Sequence, residues 1–155
     1  QGRIAMAAHT LQVTIPVGIR GGQHIRLVGQ GVPGIGRGPP GDLFLEITFH
    51  PHARYRVDQR DVYIDLPVAP WEVALGATVK VPTPGGIVAL KIPAGSTAGT
   101  RLRLKGRGLP GSTPGDCYAL LHLAMPPAAD TDAEAFYRTM ATQFAAFDPR
   151  AGLGV

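Results

Sequence analysis

Several residue patterns in this 155-residue chain have the types and spacing that chemistry requires. Gly29-Gln-Gly31-Val-Pro-Gly34 and Gly106-Arg-Gly108-Leu-Pro-Gly111 both match G-x-G-x-x-G, which in dinucleotide-binding folds opens a helix onto a pyrophosphate. Here each is followed by a further Gly/Pro turn and a strand pattern, and Pro33 and Pro110 remove a backbone donor where phosphate would want one. Turn geometry is therefore expected, not a phosphate loop. Arg101, Arg103, Lys105 and Arg107 alternate with Leu102 and Leu104, which puts cations on one strand face and leucines on the other. That face is either simply solvated or a basic stripe for phosphates or acidic peptides; without interleaved aromatics or a recognition helix, base readout is not expected. His50 and His52 have no neighbouring carboxylate or Cys to complete a ligand set, so neither a metal nor any cofactor is expected. Cys117, the one cysteine, lies in an apolar run without a base and is expected to be a buried structural thiol. Asp42 and Asp116 both follow Pro-Gly and are expected to hydrogen-bond their turns. No nucleophile elbow or acid/base constellation is present, and the chain is not expected to be an enzyme.

The elements that must position these residues come in duplicate. An offset of 77 superimposes residues 15–34 (IPVGIRGGQHIRLVGQGVPG) on residues 92–111 (IPAGSTAGTRLRLKGRGLPG), with 10 of 20 positions identical. The match resumes as PGDLFLEITF (40–49) against PGDCYALLHL (114–123). Each copy predicts strand, Gly-rich turn, strand, Gly/Pro turn, strand. Between the copies, 61–67 (DVYIDLP) alternates as a half-buried strand. Residues 70–75 (PWEVAL) predict one helical turn stopped by Gly76, and 77–81 with 87–92 predict a hairpin. The tail differs. Thr131 to Glu134 has capping-box spacing, and Phe136, Met140, Phe144 and Phe147 recur on one helical face until Asp148-Pro149 ends it. That stripe either covers its own subdomain or pairs with the same helix of a second chain.

Composition agrees with this scheme. Twenty-one Gly and 15 Pro argue against a mainly helical protein, while 45% hydrophobic and 17% charged residues exclude the signature of disorder. No apolar run reaches the roughly 20 residues of a membrane-spanning helix, so no membrane partner is expected. The net charge of +4 is uneven: +2 over residues 1–50, +5 over 51–110 and −3 over 111–155. The chain opens at Gln1 without a basic stretch leading into an apolar one, and is expected to be a fragment whose N-terminal portion lies upstream.

HARYRVDQRDVYIDLPVAPWEVALGATVKVPTPGG, the duplicated IPxG…GxxxRLxGxGxPG…PGD block and the terminal FDPR together resemble the C-terminal region of DnaJ-family J-domain co-chaperones. The similarity is greatest to members without the zinc-binding region and runs from about Ile4 onward. It implies a mainly β fold: two tandem β-sandwich-like subdomains with short helical turns, 1–55 (partial) and 56–127, then a C-terminal amphipathic dimerisation helix and tail over 128–155. It further implies a co-chaperone that holds unfolded or extended polypeptide clients for a DnaK-type chaperone and forms a homodimer in the bacterial cytoplasm. The family's client groove falls on Tyr55, Ile64, Leu66, Val79 and Val81, with ordinary core packing the competing reading of each; the dimer helix carries Phe136, Met140, Phe144 and Phe147. DNA binding by Arg101, Arg103, Lys105 and Arg107, with association with the nucleoid, is the alternative. The family's His-Pro-Asp motif is absent, the nearest string being His50-Pro51-His52, so no stimulation of ATP hydrolysis is expected. The Gly/Phe-rich linker and the first subdomain's opening strands are also absent, which predicts an incomplete first groove. Gln59 stands where the family often has Gly.

Overall fold

The computed structural model describes residues 8–153 apart from Ile35 and Arg37. The chain is mainly β, as expected. Among the described residues, eight strands form three sheets: β1 (His24–Leu27) with β2 (Leu43–Glu46); β3 (Tyr55–Asp58), β4 (Asp61–Val68), β8 (Cys117–Leu123) and β7 (Arg101–Leu104) in that spatial order; and β5 (Ala77–Thr83) with β6 (Gly86–Ile92). Neighbours are antiparallel except β4 and β8, which run parallel. A parallel pair needs a crossover. Here it is made by α1 (Pro70–Leu75), the β5–β6 hairpin and β7.

Local sequence accounts for most boundaries. Pro70 opens α1, the Glu72 carboxylate accepts from the Ala69 N–H at 2.8 Å, and Gly76 ends the helix at φ +80°. Val62, Ile64, Leu66 and Val68 alternate along β4 and are all buried. Ile64, Leu66 and Val68, with Val81, Ile92, Cys117, Ala119 and Leu121, make the core between the four-stranded sheet and the hairpin. Burying each large aliphatic here contributes on the order of 2 kcal/mol. The Cys117 thiol is fully buried, as expected, and burial pushes its pKa up.

The duplication is structural. Leu27↔Leu43 and His24↔Glu46 in the first copy recur as Leu104↔Cys117 and Arg101↔Leu120 in the second, in the same antiparallel register. The copies differ in support. In the second, the hairpin is two strands of a larger sheet; in the first, no residue of β1 or β2 is buried. The strand expected near Ile15 does not form, because nothing among the described residues pairs with it, whereas its counterpart Ile92 pairs with Ala77.

The tail also departs from expectation at both ends. Helix α2 spans Thr131–Gln143, and its N-cap is Asp130, one residue before the expected Thr131, because the Asp130 carboxylate accepts from the Ala133 N–H at 2.8 Å. It stops well short of Pro149: Phe144 is the C-cap, its N–H donating to the Met140 carbonyl, and Phe147 lies in the turn beyond. The four apolar residues therefore do not share one helical face. No helix of the described residues is long and apolar enough to cross a membrane.

Candidate functional site

The Gly-rich motifs are structural clasps. Gly29 and Gly106 sit at φ +68° and +69°, and their N–H groups donate to Oδ1 of Asp42 (2.9 Å) and Asp116 (2.7 Å). The other carboxylate oxygen of each Asp accepts from Nε of Arg26 or Arg103, both at 2.6 Å. Gly31 and Gly108 donate to the carbonyls of Gly41 (2.7 Å) and Gly115 (2.9 Å), and a Cβ on either would lie 2.5 Å from the carbonyl oxygen of Asp42 or Asp116. The motif's amides are thus engaged by the fold, leaving none of these four to cradle a phosphate. Both carboxyls are held below the usual carboxylate range, first by the glycine N–H and also by the arginine. Turn hydrogen bonding, expected for both Asp residues, is what they do.

The basic stripe is more engaged than its sequence suggests. Arg101, Arg103, Lys105 and Arg107 are all exposed, but Arg103 is committed to Asp116 and Arg101 lies 5.1 Å over the Tyr118 ring. Tyr118 in turn stacks on Tyr63 at 5.1 Å and 19°. No aromatic is interleaved with these cations in sequence, but β4 and β8 bring two tyrosines to the same sheet as β7. Beyond them, Arg56 forms a double hydrogen bond with Asp65, at 2.9 Å each, which His122 also approaches.

A second feature runs along the other edge of this sheet. Only two residues, Gln59 and Arg60, join β3 to β4, so Asp58/Asp61 and Arg56/Tyr63 are the pairs that exchange hydrogen bonds. The N–H and C=O groups of Tyr55 and Val57 then point outward, on a strand with no outer neighbour among the described residues. Their side chains line an apolar groove of about 320 Å³ with Phe49, His52, Pro84 and Leu109. His52 stacks on Tyr55 at 4.9 Å, and its Nδ1 accepts from the Arg54 N–H. Of the five groove residues that the resemblance implies, Tyr55 lines this groove. Ile64, Leu66 and Val81 are buried in the core, and Val79 is half-buried against it. Phe49, Val57 and Leu109 were not indicated: each belongs to a different segment, and only the fold gathers them.

Against α2 lies a third apolar surface, a pocket of about 190 Å³ lined by Trp71, Met125, Pro126, Phe136, Tyr137 and Met140. Ala133 and Tyr137 are the helix residues turned most toward the subdomain, and the Tyr137 hydroxyl donates to the Pro126 carbonyl. Phe136, Phe144 and Phe147 remain more than 60% exposed, and Met140 37%.

A duplicated, Asp-clasped β-hairpin whose second copy is built into a groove-bearing sheet defines a β-rich module with no helix-borne phosphate loop. The chain belongs to the DnaJ C terminal domain family, whose model matches residues 4–126. It is 51% identical over 149 residues to the Curved DNA-binding protein of Coxiella burnetii (strain RSA 493), covering 96% of this chain and 47% of that protein. Similar proteins of the same name occur in Escherichia fergusonii (50% over 146 residues; 94% of this chain, 48% of the relative) and Salmonella paratyphi B (48% over 142; 91% and 46%). The chain spans about half the length of these relatives.

Proposed function

We propose that this chain is the part of a co-chaperone that holds extended, unfolded polypeptide segments for a DnaK-type chaperone and pairs with a second copy of itself. The observation that carries this reading is the groove of Phe49, Tyr55, Val57 and Leu109 beside an open strand edge. A bound segment hydrogen-bonds to the outward groups of Tyr55 and Val57 and sends alternate side chains into the groove, a mode that recognises extension and apolarity, not sequence. Ile64, the cross-strand partner of Tyr55, acts from behind by setting the strand's position, while Leu66 and Val81 belong to the core. The test is suppression of aggregation of a chemically denatured model protein. The chain is expected to suppress it, with Tyr55→Ser and Phe49→Ser each weakening the effect; suppression unchanged in the double variant would rule out this groove.

A second reading, DNA binding, is favoured by the column of Arg101, Tyr118 and Tyr63 beside Lys105, and by the name its relatives carry. Phosphate contacts of this kind are salt-dependent and indifferent to sequence. Reversing Arg101, Lys105 and Arg107 leaves the Arg103 clasp intact, and is expected to abolish a mobility shift and flatten its salt slope. A shift that survives the triple reversal excludes the face.

A further inference from the structure

At one end of the groove the apolar lining gives way to a cation. Phe49 and Val57 also wall a neighbouring cavity of about 310 Å³, which continues past them to Gln59 and to Arg20 in the loop before β1. Arg20 is half-buried, and its Nε is buried with no hydrogen-bond partner among the described residues. The loop is held in place by other atoms: the Arg20 N–H donates to Gln23 Oε1 at 2.7 Å, and the Gly22 N–H donates to the Ile47 carbonyl at 2.8 Å. The side chain is therefore not what ties the loop down. Of the carboxylates that form ion pairs, Asp42, Asp65, Asp116 and Glu134 all face other cations, and none reaches Arg20.

A partly buried guanidinium with an unused donor is costly unless something pairs with it. An apolar strand edge ending in such a group selects by charge as well as by apolarity. We propose that Arg20 is an acidic-residue subsite of the groove: the preferred occupant is an extended segment whose apolar residues lie along β3 and whose Asp or Glu side chain reaches Arg20. This deepens the client-binding reading and rests on it. A charge-assisted hydrogen bond of this kind contributes about 1.5 kcal/mol or more, which corresponds to about a tenfold preference for an acidic over an amide side chain.

The probe is a fluorescent, N-acetylated and C-amidated nine-residue peptide alternating Val and Thr, with Glu at both ends in one version and Gln in the other. Blocking the termini ensures that any carboxylate effect comes from side chains. Fluorescence anisotropy with the whole chain at low salt is expected to show the Glu peptide about tenfold tighter, with the gap narrowing as salt rises. Arg20→Gln should remove the gap while leaving the affinity of the Gln peptide unchanged and the thermal midpoint no lower, and Arg20→Lys should restore part of it. Equal affinity of the two peptides for the unmodified chain, or a preference that persists in Arg20→Gln, overturns the subsite and leaves the groove standing. Binding of neither peptide overturns the groove reading itself, and the subsite with it.

Discussion

Asp42 and Asp116 show how one carboxylate can fix a turn twice over. Each gathers a glycine amide and an arginine at a place where the chain must reverse, and each is thereby favoured in its charged form. Because the folded pKa is lowered, the clasp stabilises fully above the ordinary Asp value of about 4 and loses that contribution as pH falls through the folded value. Asp116→Asn is therefore expected to lower the thermal midpoint at neutral pH and to flatten the acid limb of the stability profile; an unchanged acid limb would mean the clasp does not form. Gln59 offers a second test. It is the one non-glycine residue of positive φ among those described, at +53°. Relieving that backbone gains about 1–2 kcal/mol, and the extra freedom of an unfolded glycine costs about 0.5–1. Gln59→Gly should thus stabilise by roughly 0.5 kcal/mol, read as a higher denaturant midpoint at constant slope. The sequence marks both sites, Asp by its repetition after Pro-Gly and Gln59 by standing where the family often has Gly. Arg20 carries no such mark, since only the folded loop shows its Nε to be without a partner.

At the scale of elements, what the sequence discloses is what neighbouring residues decide. The β5–β6 hairpin, α1 and the glycine turns follow from local chemistry, and their expected limits lie close to the observed ones. The parallel pairing of β4 with β8 has no local signal, and with it goes the Tyr63–Tyr118 stack, whose members lie far apart in sequence. The end of α2 was obscured for another reason: a 3.6-residue period continues through Phe147, but Thr139 and Thr142 bond back to the carbonyls of Ala135 and Arg138, and the chain leaves the helix at Phe144. The two hairpins separate local from tertiary effects. They share register and clasp, yet only β8, with Leu102 and Leu104 of β7 packed alongside, places buried residues in the core, and an isolated two-stranded ribbon is marginal in water. Amides of β1 and β2 should therefore exchange with deuterium much faster than those of β7 and β8. Equal protection would show that the clasp, and not burial, sets hairpin stability.

For the molecule as a whole, the exposed phenylalanines of the tail bear on how many copies associate. Phe136, Phe144 and Phe147 leave a large apolar area uncovered, and homodimer formation is the use proposed for it. Light scattering should give twice the chain mass for the full chain and a single mass for one ending before Thr131; a truncated chain of doubled mass would place the interface elsewhere. A different consequence follows from the parallel strand pair, and it concerns synthesis. β4 leaves the ribosome roughly fifty residues before β8, which is to lie against it. At about 5–20 residues per second, that leaves the apolar inner strand of the sheet bare on one side for several seconds. A protein proposed to shelter exposed strands of other chains must, while being made, itself present one.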